Sequence, residues 1–384
     1  MQKNNPLAIL FIAIALTTIL NPIPTGARQL SAKQSLSINT FYVSVKSHAK
    51  ISETFLERIS SYKVVFDFRS EFSAQQLKSI HSRNPKIKVI KYLNTGHIFP
   101  RMKDFKLIDK HRGGWFAKDS MGERVRVAKN RVYVMEPSNK GYQDWLITQA
   151  AAAISKGYDG IMADSFYYPL FPPYSDYYLS APVSPRDGKK YNANSWMQSK
   201  NSLLNRIKHT LGKKLLVVNG YMSGRQYYRF GSGGLLKIAD GVWVEAFTRW
   251  PKEGFRPVAD WEKDIKMLKE VAASGKYTML QTKFVKGAAN TRPAAKLKLY
   301  AFSSYLLGAA KRSFFEFNTL DSRGWDGESI TYPYYKKQLG RALGGYYKKG
   351  GTYHRNYAHA RVVVNPSDHK STIYFSKKGK AISH

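Results

Sequence analysis

Tyr158-Asp159-Gly160-Ile161-Met162-Ala163-Asp164 and Ala239-Asp240-Gly241-Val242-Trp243-Val244-Glu245 follow one pattern. In each, an Asp-Gly turn opens a short apolar run and a carboxylic acid closes it. Six further runs of this kind flank them: Phe41–Val45, Lys63–Phe68, Ile87–Leu93, Leu215–Val218, Tyr277–Leu280 and Ser313–Phe317. Helical stretches separate them, among them Gln75–His81, Tyr142–Lys156 behind the cap-like Pro137-Ser138-Asn139, Trp196–Leu211, Trp261–Ala273 and Leu297–Leu307. Short apolar runs alternating with helices mean parallel strands joined by crossover helices. Eight such units over about 280 residues suit an α/β fold closed as a (β/α)8 TIM barrel. The alternative is a doubly wound open sheet, but no Gly-rich phosphate loop follows the first strand, which counts against a dinucleotide fold.

Beyond the barrel, expected over residues 28–340, the texture changes. Tyr353–Val364 and Thr372–Phe375 are β-rich and are split by the turn-like Asn365-Pro366-Ser367-Asp368. Residues 341–384 are therefore expected to form a small C-terminal antiparallel β appendage. At the other end, Lys3 precedes the apolar run Leu7–Leu20, Asn21-Pro22 breaks it, and Thr25-Gly26-Ala27 offers small residues for a peptidase. Residues 1–27 read as a signal peptide, with a retained anchor as the alternative. The run is short for a membrane span. The expected location is secreted or in the cell envelope, with no stable membrane span after cleavage.

Composition narrows the partners. The chain has 384 residues, 43% of them hydrophobic, enough for a large core. Its 62 Lys and Arg against 26 Asp and Glu leave a charge of +36, a field that attracts polyanions, acidic polysaccharide among them. The cations are spread in ones and twos, as at Lys213-Lys214, Lys336-Lys337 and Lys348-Lys349, and no nucleic-acid-binding motif accompanies them, so no specific nucleic acid is expected. A surface that is simply basic throughout explains the charge equally well. No cysteine is present, which excludes disulfides and thiolate chemistry. The nine His show no ligand spacing, so neither a metal site nor a cofactor is expected.

Reacting groups of a barrel of this kind project from the C-terminal ends of its strands. Those ends carry Asp67, Asn94, Asp164, Asn219, Glu245, Lys283 and Glu316. An acid directly after a buried strand is costly unless paired or used. Two acids facing across a barrel mouth suit glycosidic cleavage, one donating a proton and the other attacking carbon or activating water. Asp164 and Glu245 are the expected catalytic pair; a helix cap and a structural ion pair are the respective alternatives. Asp67, Tyr92, Asn94, Trp115, Tyr167, Asn219, Lys283 and Glu316 are expected to contact substrate, with packing, capping or buried pairing as the plainer role for each. The loop from Phe166 to Asn194 carries Tyr167, Tyr168, Tyr174, Tyr177 and Tyr178 among several Pro and offers stacking faces for sugar rings. His97 and Phe116 sit in the stretch after the third strand.

These motifs together resemble a known group. Tyr92-Leu93-Asn94-Thr95-Gly96, Trp115-Phe116-Ala117-Lys118-Asp119-Ser120-Met121-Gly122, Glu136-Pro137-Ser138-Asn139, Gly157–Asp164, Val217-Val218-Asn219-Gly220 and Gly241–Phe247 resemble, in order and spacing, hypothetical glycosyl-hydrolase-like family 15. Val363-Val364-Asn365-Pro366-Ser367 resembles that group's β appendage. The group is similar to the endo-α-1,4-polygalactosaminidases of glycoside hydrolase family 114. The resemblance implies a catalytic pair at Asp164 and Glu245, with Asp164 as nucleophile and Glu245 as acid/base. Polygalactosamine is cationic and suits a chain of this charge poorly; an acidic extracellular or envelope glycan is the better electrostatic match. The competing reading is a non-catalytic glycan-binding or scaffold protein that keeps the barrel.

Overall fold

The computed structural model describes residues 40–44, 51–69, 71–128, 132–229, 234–250, 254–285, 292–320, 339–375 and 382–383. The signal peptide expected over residues 1–27, the expected barrel start at 28–39, Val45 and Lys336-Lys337 lie outside the described residues. Eight strands pair in parallel and in chain order: β1 (Phe41–Ser44), β2 (Val64–Asp67), β3 (Lys88–Asn94), β4 (Gly160–Asp164), β5 (Leu215–Tyr221), β6 (Gly241–Val244), β7 (Tyr277–Val285) and β8 (Ser313–Leu320). A parallel bridge from Thr40 to Phe315 joins the two ends of the sheet and closes the ring. The expected TIM barrel is the fold, and closure rules out the open sheet. Strands β7 and β8 run past their apolar stretches because each keeps pairing with the other, from Thr278 with Ser313 to Val285 with Leu320.

Among the described residues, eight α-helices accompany the strands: α1 (Glu53–Ser60), α2 (Ala74–Arg83), α3 (Phe105–His111), α4 (Lys140–Lys156), α5 (Ala193–Leu211), α6 (Gly224–Arg229), α7 (Val258–Ala273) and α8 (Arg292–Gly308). Side-chain caps set several starts. Asn139 accepts from the Tyr142 amide to open α4, and Ser73 and Asn192 form capping boxes at α2 and α5.

Alternation along the strands decides what the barrel encloses. Phe41, Phe66, Ile90, Met162, Trp243 and Met279 point inward and form one buried cluster with their neighbours. Two residues further along, the same parity points Tyr92, Asp164, Asn219, Glu245, Gln281 and Glu316 inward above it. An apolar plug therefore fills the lower barrel and a polar tier sits on top.

The repeated Asp-Gly turns have a structural reason. Asp159 accepts from the Val89 amide at 3.0 Å and Asp240 from the Leu216 amide at 2.9 Å, so each aspartate fastens the start of the preceding strand. The glycines let the following strand close in. A Cβ on Gly160 would lie 2.2 Å from the Leu215 carbonyl oxygen, and one on Gly241 would lie 2.5 Å from the Tyr277 Cβ.

The C-terminal strands form an antiparallel sheet in chain order, β9 (Tyr347–Lys349), β10 (Thr352–Tyr357), β11 (Ala360–Asn365), β12 (Lys370–Phe375) and β13 (Ile382–Ser383). It packs on α8, where Arg355 Nη1 donates to the carbonyls of Leu306, Leu307 and Ala309. A cation at a helix C-terminus meets both the unpaired carbonyls and the negative end of the dipole. Among the described residues, no helix is long and apolar enough to cross a membrane.

Gly160→Ala and Gly241→Ala are each expected to lower stability by about 2–4 kcal/mol, because the clash is with backbone or Cβ and cannot swing away. Gly114→Ala, with nothing within 4 Å of its Cβ, serves as control and should stay within about 0.5 kcal/mol. Urea midpoints of the three variants check both statements.

Candidate active site

The end of β4, the loop after it and the residue after β6 converge on one side-chain nitrogen of β5. Asn219 Nδ2 lies 2.8 Å from Asp164 Oδ1, 2.6 Å from Glu245 Oε1 and 2.8 Å from the Tyr167 hydroxyl. Turning the amide over would aim its carbonyl at two acids, so the orientation is forced. Because one nitrogen touches both acids, the gap between Asp164 Oδ1 and Glu245 Oε1 cannot exceed the sum of 2.8 and 2.6 Å, about 5.4 Å. A register shift between Asn219 and Tyr221 in β5 marks a bulge beside this residue.

Each acid has its own surroundings. Asp164 Oδ2 accepts from the Tyr92 hydroxyl at 2.6 Å, with Asn94 Nδ2 and Ser165 Oγ at 3.5 and 3.4 Å. Asn94 in turn donates to the Tyr92 hydroxyl at 3.1 Å. Burial and the charge of Glu245 push the Asp164 carboxyl above the usual range, while the bonds from Tyr92 and Asn219 pull the other way. Glu245, 4% exposed, pairs with Lys283 Nζ at 3.2 Å.

Above the pair opens a cavity of about 920 Å³, at the upper end of the range for ligand sites. Phe68 and Tyr92 pack with ring centroids 4.4 Å apart, Trp243 lies 5.4 Å from Phe68, and all three line it. Gln281 Oε1, Asn318 Oδ1 and Trp243 Nε1, on residues that also line it, are buried without a hydrogen-bond partner. The wall carries Arg69, Lys91, Arg101, Lys103, Lys156 and Lys283 against four carboxylates, Glu71, Asp104, Asp164 and Glu245. Among the described residues no group of three or more His, Asp or Glu is placed to hold a metal ion.

Of the residues expected here, Asp164, Glu245, Tyr92, Asn94, Tyr167 and Lys283 line the cavity, and Asn219 joins the acids. Asp164 does not cap a helix. Asn94 caps no helix: its Nδ2 lies 3.5 Å from Asp164 Oδ2, and its Oδ1 accepts from the Gly96 and His97 amides of the following loop. Three residues lie elsewhere. Asp67 sits between inward Phe66 and Phe68, so it faces outward; fully buried, it accepts from the amides of Glu71 and Phe72 and from the Tyr158 hydroxyl. Trp115 packs on Tyr142 and Trp145 of α4. Glu316 points inward one tier too deep, accepting from the Val43 amide at 3.2 Å and from Gln281 Nε2 at 2.5 Å, where it fastens β1 to β8. Of the loop tyrosines named above, Tyr167 and Tyr177 line the cavity, while buried Tyr178 bonds His97 Nε2 at 2.9 Å. Phe116 belongs to the core, whereas His97 also lines the cavity.

Sequence reasoning missed Trp243, Gln281, Asn318 and Lys200. The first three share the inward parity of Glu245, Lys283 and Glu316, which was readable along β6, β7 and β8. Lys200 stands in α5 on the apolar face of Trp196, Leu203 and Ile207, a position where a cation is out of place. Its Nζ donates to the carbonyls of Ser165 at 3.1 Å and Tyr167 at 2.8 Å, and burial pulls its pKa down to about 7.

The sequence matches hypothetical glycosyl hydrolase family 15 over residues 81–361. Among solved structures, the glycoside hydrolase domain of PelA from Pseudomonas aeruginosa is similar at 14% identity and a TM-score of 0.50, over 76% of this chain and 98% of that one. A noncanonic maltogenic α-amylase, AmyB from Thermotoga neapolitana, is similar at 13% identity and 0.50, over 89% of this chain and 88% of the other. At such identities the likeness speaks to the barrel fold. No curated protein matches this sequence. The family match takes in more than half of the chain, from before β3 into β11, and so includes both acid-bearing strands. The chain therefore belongs to hypothetical glycosyl hydrolase family 15, and it is a glycosidase.

Proposed function

We propose that this glycosidase cleaves an extracellular or cell-envelope polysaccharide with retention of configuration, using Asp164 as nucleophile and Glu245 as acid/base. The observation that carries the reading is the shared Asn219 nitrogen. A ceiling of about 5.4 Å between the facing oxygens, Asp164 Oδ1 and Glu245 Oε1, favours direct attack by a carboxylate over an inverting site, whose carboxyl groups stand about 6.5–9.5 Å apart to seat a water. Two contacts support these roles. Asp164 accepts hydrogen bonds at both oxygens, which holds its carboxylate still for attack. Glu245 faces Lys283, a cation that balances its charge whenever it stands ionised.

In the first step the Glu245 proton passes to the glycosidic oxygen as the bond from that oxygen to the anomeric carbon breaks. An Asp164 oxygen forms an ester to the same carbon. Esterification removes the negative charge of Asp164 and leaves Lys283 to support an ionised Glu245. In the second step Glu245 takes a proton from water, the hydroxyl attacks the anomeric carbon, and Asp164 leaves as carboxylate. Phe68, Tyr92 and Trp243 line the cavity and suit a sugar-ring face. Asn94, Tyr167 and Lys283 complete the contacts assigned to substrate. The charge of +36, with a cavity wall that stays net positive even counting both acids, favours an acidic glycan. Lys3 and the apolar run Leu7–Leu20 support export behind a leader of residues 1–27.

Asp164→Asn and Glu245→Gln should each lower kcat roughly a thousandfold or more while glycan binding persists, as read by reducing-end release and calorimetry. Unchanged turnover in either would remove that acid from the mechanism. Tyr92→Phe removes a bond that lowers the Asp164 pKa. The acid limb of kcat/KM, where the nucleophile must stay ionised, should therefore move to higher pH; no movement, or movement to lower pH, contradicts the assignment. Polyanionic glycans should bind more tightly than neutral ones, and that advantage should fade with added salt. Equal, salt-insensitive binding of both would end the acidic-substrate idea.

A further inference from the structure

Asp164 is followed by an unusual turn. Ser165 has φ +60°, a left-handed conformation that a residue with a side chain adopts only when its surroundings hold it there. Space is also tight: the Ser165 carbonyl oxygen would lie 2.4 Å from a Cβ placed on Gly96. What meets that carbonyl is the ammonium of Lys200, which bonds it and the Tyr167 carbonyl two residues on. Lys200 is 2% exposed, and its Nζ lies 4.9 Å from the centre of the Phe166 ring. No carboxylate lies within ion-pair distance of it among the described residues. A buried cation with carbonyls in place of a counterion costs several kcal/mol, and an apolar residue of the same shape avoids that cost. Stability alone does not account for a lysine here.

We propose that Lys200 is a positioning residue for the reaction, its buried ammonium clamping the carbonyls of Ser165 and Tyr167 so that the turn between them aims both flanking side chains. On one side of the turn stands Asp164. On the other, Tyr167 reaches back with its hydroxyl 2.8 Å from the same Asn219 nitrogen that spaces the two acids. One lysine behind the wall of the site therefore holds both ends of this triangle without touching substrate. Carbon-chain length matters as much as charge, since the clamp spans from α5 to the loop after β4.

The inference rests on the nucleophile role given to Asp164, and the experiment separates the two. Lys200→Met keeps the shape and removes both bonds. The relieved burial of charge and the two stranded carbonyls oppose each other at similar size, so the melting temperature should move by no more than about 3 °C. Turnover should fall at least about tenfold with KM within about threefold, because an acid displaced by a fraction of an ångström loses its line of attack. Lys200→Gln, which keeps an N–H donor, should recover part of the lost kcat. A crystal structure of the Met variant should show Ser165 out of the left-handed region and the bond from Asn219 to Asp164 broken.

The proposal is overturned if Lys200→Met turns over like the wild type. It is equally overturned if melting falls by about 8 °C or more with kcat and KM unchanged, or if Ser165 and Asp164 stay in place. If Lys200→Met does not fold, a Gln variant that folds with full kcat overturns it, and one that folds with reduced kcat and unchanged KM supports it. If the wild-type protein cleaves no glycan, the glycosidic mechanism fails by itself, and the positions of Ser165 and Asp164 in the crystal still decide the role of Lys200.

Discussion

Two carboxylates in a buried pocket repel each other, and everything at the mouth of this barrel is arranged around the one amide nitrogen that keeps them together. Asn219 has two N–H bonds and three acceptors around it, Asp164, Glu245 and Tyr167. That surplus of acceptors fixes the amide in one orientation and brings the acids to a distance suited to direct attack. Removing either acid would leave the amide with one acceptor fewer, and removing the amide would leave the two carboxyls without the donor they share.

The rest of the barrel serves this arrangement tier by tier. Trp243, Phe66 and Met279 fill the lower interior, so the polar tier rests on a dry floor where charge interactions are strong. Glu316, just below the cavity, accepts from Val43 of β1 and from Gln281 of β7 and so ties both strands to β8 under the site. The bulge in β5 lies beside Asn219, and left-handed Ser165 directly follows Asp164. Irregular backbone thus collects at the strand ends that bear the proposed reacting groups, where rigidity suits the chemistry.

Much of this was legible beforehand, and the exceptions have physical causes. The eight apolar runs and their spacing carried the barrel, because a buried parallel strand needs an unbroken run of apolar residues whatever its exact ends. The Asp-Gly repeat pointed to the acids; its cause lies in strand contact, with Asp159 and Asp240 fastening neighbours and the glycines admitting them. Alternation alone separates Asp67 from the site, since it falls between two inward phenylalanines. Depth is harder. Glu316 has the inward parity of Glu245, and only the stagger between strands, which no local pattern records, sets it a tier lower. Trp115 comes from a long connection whose path depends on tertiary packing against α4. Lys200 was visible as a cation on the apolar face of α5, but its target, a carbonyl in a left-handed turn, emerges only in three dimensions.

The account stands on the closeness of Asp164 and Glu245, and stereochemistry reports on that closeness directly. Proton NMR of the first sugar released from a substrate of defined linkage, recorded before mutarotation, distinguishes the anomers. Retention of the anomeric configuration is the predicted result, since attack by one acid and then by water inverts the centre twice. A first product of opposite configuration would mean that water attacks directly, and that the acids of the working enzyme stand further apart than their shared amide allows.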